Sequence, residues 1–366
     1  MNRLYENKHQ IMPPKTKINY FRKQVLAWFE HSGRHDLPWQ KNTTPYRVWI
    51  SEIMLQQTQV STAIPYFQKF MKSFPSVKTL AEADLNEVLA HWSGLGYYAR
   101  ARNLHKTAKI IQEHYKGRFP KTIEALSALP GIGRSTAGAI LSLADNIPAP
   151  ILDGNVKRVL ARFEAVAGWP GEAEVLKRLW ALSTAYTPEI DANNFNQAMM
   201  DLGATLCTRT KPQCPACPLI KHCAAHAEHE EERYPTPKAT SIKPKKVVNW
   251  ILLRNPEGAL LLEQRPPTGI WGGLWGPPEY PLDTSANNWC EQKFACTILR
   301  SESQASFKHV FSHFELKIQP VLVDVSFKKN AVFEASSQIW LKPSDKLPGG
   351  LAAPVKKILI TLGYLP

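Results

Sequence analysis

The stretch CTRTKPQCPACPLIKHC, residues 207–223, carries four of the chain's six cysteines at C-x6-C-x2-C-x5-C spacing. No other feature limits the fold as tightly, because four thiols in one short loop call for a shared partner. In a reducing compartment such clustering favours metal ligation over disulfides. Cys207, Cys214, Cys217 and Cys223 could hold zinc or an iron-sulfur cluster, since both accept four-cysteine coordination. His222, beside Cys223, is open as a competing ligand or as a solvated neighbour, and Cys290 and Cys296 stand apart as packed or idle thiols.

The loop ends a region of helical character. Apolar residues recur at i, i+3 and i+4 in YFRKQVLAWFEHS, VWISEIMLQQTQV, LNEVLAHWSGLG, AGAILSLA and VKRVLARFEAVAG, the spacing of one helix face. HAEHEEERYPTPKATSIKPKK is charged and punctuated by proline, as linkers are. Beyond it VVNWILLRN, ALLLEQR, FELKIQPVLVDVSF and SQIWLKP read as strands, and KKILITLGY as a closing helix. We therefore expect a tail over residues 1–19, a mainly α domain over 20–225 that includes the loop 207–223, a linker over 226–246, and an α+β domain over 247–366. With 366 residues, 44% of them apolar, the chain is long enough for two cores. Its apolar runs are too short and interrupted to span a membrane, and the lysine-rich start lacks a signal-peptide core. The expected location is cytoplasmic, with no membrane partner. A formal net charge of +14 points to an acidic partner, nucleic acid being the commonest.

Three further sites carry chemistry. In LSALPGIGRSTAGAILSLA, Pro130, Gly131 and Gly133 make a tight turn between two helical patterns. Such a turn lets a phosphate approach the backbone N–H groups of the second helix, although it also serves simply to connect helices. Glu52 interrupts the apolar VWISEIML, where burial would raise its pKa; the same position fits the solvated stripe of an amphipathic helix. Asp153, before NVKRVLAR, has the place and chemistry of a helix N-cap, where backbone N–H groups would keep a carboxylate ionised.

Taken in order, LPGIG, the aspartate of ILDGNVKRVLAR and the cysteine spacing resemble the endonuclease III-like, helix-hairpin-helix superfamily of DNA glycosylases. LPWQKNTTPYRVWISEIMLQQTQV and GLGYYARARNLHKTA resemble its adenine DNA glycosylase (MutY-type) branch, over about residues 20–225 and more weakly to the C-terminus. The resemblance implies a mainly α glycosylase domain with a four-iron, four-sulfur (4Fe-4S) cluster in the cysteine loop, followed by a MutT/Nudix-like α+β domain. The implied activity is base excision repair by a monomeric, nucleoid-associated enzyme: removal of adenine mispaired with 8-oxoguanine, or guanine, in duplex DNA. Breaking an N-glycosidic bond needs an acid at the leaving base and a negative group at the oxocarbenium-like sugar. The resemblance gives Glu52 the role of acid at adenine N7, and later base for water, and gives Asp153 that of the stabilising charge, with Asn155 orienting both. Ser135 stands where strand-cutting relatives carry the Schiff-base lysine, which implies a monofunctional enzyme.

Flipping a base out of the stack needs a wedge. The resemblance assigns it to Gln56 and Gln57, and the ring stacked beside 8-oxoguanine to Tyr97; Gln197 falls where relatives contact adenine. Arg100, Arg102, Lys157 and Arg158 are candidate phosphate contacts. In the C-terminal domain GIWGGLWGPPE and HVFSHFELKI carry the MutT-like resemblance, and Phe311, Ser312 and His313 match the loop that reads 8-oxoguanine, Ser312 foremost. After Glu279 the sequence has no cluster of glutamates of the kind that fold needs to hydrolyse nucleotides.

Overall fold

The computed structural model describes residues 12–239, 242–327, 337–343 and 345–366. Residues 1–11 of the expected tail and 240–241 of the expected linker lie outside them. In chain order the first helices are α1 (Lys15–Ser32), α2 (Pro45–Leu55), α3 (Val60–Ser73), α4 (Val77–Glu82), α5 (Leu85–His91) and α6 (Ala99–Tyr115). They are followed by α7 (Ile123–Ser127), α8 (Arg134–Asp145), α9 (Gly154–Phe163), α10 (Ala173–Tyr186), α11 (Ala192–Thr205) and α12 (Ala224–Ala227). Two compact units emerge: Met1–Ala81 with Lys106–Ala239, and Glu82–His105 with Thr240–Pro366.

In the first unit α1, α9, α10 and α11 bury one shared cluster. Phe21 lies at its centre, with ring centroids 4.8 Å from Phe163 and 4.3 Å from Tyr186, and none of the three is more than 1% exposed. Full burial of one such ring contributes roughly 1.5–3 kcal/mol, so this cluster fixes how the helices meet. The periodic run VWISEIMLQQTQV does not form one helix. α2 stops at Leu55 and α3 begins at Val60, because Gln57 adopts a left-handed backbone (φ 57°) through which a right-handed helix cannot run.

The turn before α8 follows its glycines. Gly131 is left-handed (φ 79°), and the Thr107 hydroxyl donates to the Pro130 carbonyl at 2.8 Å. The segment after α8, IPAPIL (residues 147–152), has no ladder partner, so side chains satisfy its backbone. Asn196 donates to the Ala149 carbonyl (2.8 Å), Ser183 to the Ile151 carbonyl (2.6 Å), and Ser135 accepts the Leu152 N–H (2.9 Å). A Cβ on Gly138 would lie 2.4 Å from the Pro150 carbonyl oxygen, which shows how closely the segment lies on α8. It delivers Asp153, whose Oδ1 accepts the Val156 N–H at 2.8 Å and caps α9.

The second unit contains a mixed eight-stranded sheet: β1 (Lys245–Arg254), β2 (Leu260–Gln264), β3 (Trp275–Gly276), β4 (Glu279–Tyr280), β5 (Cys296–Ser303), β6 (Phe307–Val310), β7 (Glu315–Phe327) and β8 (Gln338–Leu341). Its main path runs β3-β2-β1-β7-β5, with β4 on β1, β6 on β7 and β8 on β2. β1 and β7 pair in parallel from Lys245–Glu315 to Arg254–Asp324. The unbroken buried run Trp250–Leu253 fits a strand covered on both faces. On one face α13 (Ala286–Phe294) packs Cys290 and Phe294 against Ile251, Leu253 and Leu261, so Cys290 and Cys296 are core residues; α14 (Ala353–Thr361) closes the chain. A helical region followed by an α+β region is the expected order and the one the chain adopts, with α13 between β4 and β5 as a helix the sequence reading did not name.

Gly203 of α11 tests the close approach that sets the start of α9. A Cβ there would lie 2.5 Å from Asn155 Cβ and 2.9 Å from its Cα. Gly203→Ala is expected to lower stability in urea unfolding by roughly 1–3 kcal/mol, the usual range for overpacking. A Cβ on Gly133 meets nothing within 4 Å, and Gly133→Ala is expected to stay within about 1 kcal/mol of the parent, the scale of an N-cap change.

Candidate active site

A cavity of about 870 Å³ opens in the first unit, lined by α2, the turn after it, and the starts of α8, α9 and α11. Glu52, Gln56, Gln57, Ser135, Asp153, Asn155 and Gln197 all line it. Thus seven residues chosen from sequence, spread over 146 positions, meet at one hollow, while the turn Pro130–Gly133 and the cysteines lie off its wall. Tyr97 and Phe311–His313 belong to the second unit.

The two carboxyl groups differ in their support. Asp153 accepts from Val156 N–H on Oδ1 (2.8 Å) and from Asn155 Nδ2 on Oδ2 (3.2 Å), with the Arg158 guanidinium nearby. Glu52 makes no hydrogen bond to a described residue, and α2 places it among Trp49, Ile50, Ile53 and Met54, all at most 2% exposed. Burial, and then the charge of Asp153, push the Glu52 carboxyl up to about 8. Burial also moves Asp153 above the ordinary carboxylate value, against the pull of its N–H donors and Arg158. A low pKa from capping alone was the sequence expectation; the capping bond exists, but desolvation outweighs it. The pair is therefore an acid and a base whose titrations are linked.

Asn155 Oδ1 in turn accepts from Arg158 Nη2 at 2.8 Å. The same guanidinium donates to the Gly203 carbonyl (2.7 Å) and the Cys207 carbonyl (2.6 Å). One turn further along α9, Arg162 donates to Cys207 Sγ (3.3 Å) and to the carbonyls of Thr208, Arg209, Glu231 and Tyr234. Arg158 thus ties the start of α9 to α11 and to the cysteine loop. Arg102, which donates to the Gly272 carbonyl (2.7 Å), and Arg100, which reaches the Leu95 and Gly96 carbonyls, are likewise engaged by the protein.

Two residues that sequence reasoning missed shape the opposite wall. Asp201, wholly buried, accepts from Arg34 N (2.8 Å), Nε (3.0 Å) and Nη2 (2.5 Å) and from Gln197 Nε2 (2.9 Å). A carboxylate only accepts, so the Gln197 amide must turn its NH2 toward Asp201, which leaves the carbonyl oxygen for the cavity. The i, i+4 spacing of Gln197 and Asp201 is a signal that sequence offered; Arg34, 167 positions away, had none. Ser135 contacts the Leu152 backbone, one residue from Asp153.

The four loop cysteines are half-buried free thiols. Burial raises Cys214 to about 11 and Cys217 to about 12, with the neighbouring cysteines adding to the rise in each case. Such a donor set is stabilised as thiolates by a bound cation or cluster. His222 packs edge-on to Tyr20 at 4.5 Å. The histidine beside the thiols is instead His226, which with Cys214 and Glu231 brings potential ligand atoms within 4.8 Å of one another.

In the second unit Phe311 stacks on Phe314 (centroids 4.3 Å apart, 16° between planes) at the β6–β7 turn, with Ser312 and His313 exposed at its tip. No helix among the described residues is long and apolar enough to cross a membrane.

Comparison with known proteins finds two families along the chain. Residues 50–184 match the HhH-GPD superfamily of base excision DNA repair proteins, and residues 249–361 match the NUDIX domain. The chain is 44% identical to the adenine DNA glycosylase of Buchnera aphidicola subsp. Acyrthosiphon pisum over 93% of its own length and 96% of that protein. It is 32% identical to the adenine DNA glycosylase of Rattus norvegicus, over 93% and 77% respectively. Among solved structures, a thermostable thymine-DNA glycosylase superposes with a TM-score of 0.52 at 27% identity, covering 58% of this chain and 98% of that one. An endonuclease III–DNA complex, at 24% identity, 60% and 99% coverage and a TM-score of 0.51, shares the fold.

The Glu52 environment makes stability depend on pH. A carboxyl at about 8 when folded, against an ordinary 4.5, keeps a proton that the unfolded chain releases, so stability falls as pH rises from about 4.5 to about 8 and then levels. Glu52→Gln removes that dependence. Its melting temperature is expected to match the parent near pH 4 and to exceed it increasingly up to pH 8.5; an advantage that shrinks with pH would contradict the burial argument.

Proposed function

The chain belongs to the adenine DNA glycosylases, and on that premise we propose that it excises adenine mispaired with 8-oxoguanine, or guanine, from duplex DNA through Glu52 and Asp153. The observation that carries the reading is the contrast between the two carboxyls of one cavity. Asp153, with N–H donors and a guanidinium to favour its charged form, is the anion, and Glu52, desolvated and without a donor, holds the proton.

With the target base flipped into the cavity, Glu52 gives its proton to adenine N7. The C1′–N9 bond breaks with its electron pair leaving on the base, and the Asp153 carboxylate stabilises the positive charge that develops on the sugar. Glu52, now a carboxylate, takes a proton from the water that adds to C1′, which leaves an abasic site and restores the acid. Asn155 holds Asp153 in place, and Ser135 holds the backbone that delivers it. No lysine lines the cavity among the described residues, which supports a monofunctional enzyme without a Schiff base. The carbonyl oxygen of Gln197, left free by Asp201, suits the N6 amino group of adenine, a donor.

Duplex DNA is the partner. Gly131 and Gly133 are exposed at the start of α8, and the open space around Gly133 leaves room for a phosphate on the backbone N–H groups. Gln56 and the left-handed Gln57, at the cavity mouth, serve as the wedge, and Tyr97 stacks beside the lesion. Ser312 and His313 offer exposed polar groups to the altered edge of 8-oxoguanine, with Phe311 anchoring their turn. Cys207, Cys214, Cys217 and Cys223 hold a 4Fe-4S cluster, which when bound supplies an anchor for the loop that Arg158 and Arg162 grip. Residues 20–225 form the glycosylase domain and 247–366 the recognition domain in this reading.

Single-turnover assays on duplexes with A opposite 8-oxoguanine, G and T test the proposal. Adenine release is expected to be fastest opposite 8-oxoguanine and absent opposite T. Glu52→Gln and Asp153→Asn are each expected to slow release by at least about 100-fold, the scale of lost acid–base catalysis, while duplex binding persists; parent-like rates in either variant would remove these roles. For the loop, the purified protein is expected to absorb visible light near 400 nm and to contain about four irons and four sulfides. A colourless protein with one zinc would exclude the cluster.

A further inference from the structure

Tyr97 combines two features that rarely coincide. It is 47% exposed, and its backbone is left-handed (φ 50°). That conformation costs an ordinary side chain roughly 1–2 kcal/mol and persists only where the surroundings dictate it. Gly94 (φ 99°) and Gly96 (φ 75°) share it, so the turn from α5 to α6 bends left-handed at three of four residues. Buried Trp92 donates from Nε1 to the Gly96 carbonyl at 3.1 Å, and Arg100 Nη2 reaches the same carbonyl at 3.2 Å. The Arg100 guanidinium lies 5.4 Å from the ring centres of both Trp92 and Tyr97.

These bonds are local. The turn is also tied to residues more than 250 positions later. The Tyr98 hydroxyl accepts the Gly94 N–H at 3.2 Å and donates to the Leu351 carbonyl at 2.9 Å. The Ser93 hydroxyl donates to the same carbonyl at 3.1 Å. Leu351 is 2% exposed and Tyr98 8% exposed, so neither bond competes freely with water. The neighbouring Gly350 approaches so closely that a Cβ there would lie 2.7 Å from the Leu89 carbonyl oxygen of α5.

We propose that the Tyr98 hydroxyl is a positioning group for DNA recognition: gripping the Leu351 carbonyl, it latches the turn 93–98 in the form that presents Tyr97. The C-terminal segment 349–351 thereby contributes to lesion engagement through Tyr97, separately from the Phe311–His313 turn. This rests on the reading of Tyr97 as the stacking residue.

The test uses the full-length protein with its cluster and a duplex carrying an uncleavable adenine analogue opposite 8-oxoguanine. Tyr98→Phe keeps the ring and removes both hydroxyl bonds; it is expected to raise Kd about five- to tenfold, the scale of one to two hydrogen bonds. Ser93→Ala, which removes the second donor to Leu351, is expected to raise it about two- to fivefold on the same scale. In a Tyr97→Ala background Tyr98→Phe is expected to change Kd by less than about twofold, because its effect passes through the ring already removed. A purely structural role predicts instead that the two losses add in full. Additive losses, or parent-like binding by both Tyr98→Phe and Ser93→Ala alongside a Tyr97→Ala defect, would overturn the latch alone. Parent-like binding by Tyr97→Ala would overturn the stacking reading beneath it.

Discussion

The 2.8 Å bond from the Val156 N–H to Asp153 is the interaction on which most of the first unit turns. It ends the irregular segment IPAPIL, starts α9, and fixes where a carboxylate stands in the cavity. α9 then carries that position outward, because Asn155, Arg158 and Arg162 lie along one face at helical spacing. Through those three side chains the cavity carboxylate, the Gly203 backbone and the cysteine loop become one hydrogen-bonded assembly. The helix cap and the cavity carboxylate are one residue, so the stability of α9 and the placement of charge cannot be varied independently.

The cavity's electrostatics follow from what this assembly leaves out. Asp153 and Asp201 each receive N–H donors, whereas none of the described groups donates to Glu52. Two carboxyls in one desolvated hollow cannot both ionise cheaply, and the unequal supply of N–H groups decides which one keeps the proton. A water-filled cleft would dissolve that distinction, so the apolar neighbours of Glu52 matter as much as the acid itself.

Much of this could be read from the sequence. Periodicity gave α1, α5, α8 and α9, alternation gave the strands, and the motif order named the family. Glu52, Ser135, Asp153, Asn155 and Gln197, singled out in the sequence, all line one cavity. Reading failed where long-range pairing decides. Arg34 and Asp201 meet across 167 positions, and nothing local in the sequence pairs them. It also failed on magnitude: a cap was visible at Asp153, but the burial that raises its pKa comes from tertiary packing that local sequence does not show. The left-handed Gln57, which breaks a run of helical periodicity, was hidden because glutamine gives no sign of it.

The second unit is discontinuous in the chain, with Glu82–His105 completed by Thr240–Pro366. That has a consequence for how the molecule is made. At a synthesis rate of about 5–20 residues per second, the segment bearing Tyr97 leaves the ribosome on the order of ten seconds before the strands and the Leu351 carbonyl it packs against exist. For that interval its apolar side chains, Leu89 and Trp92 among them, lack their eventual neighbours. The first unit can close around residues on either side of the gap, yet the left-handed turn acquires its final hold only when the last stretch of polypeptide arrives. Ribosomal timing thus makes the exposed Tyr97 ring one of the last parts of the nascent chain to reach its final setting.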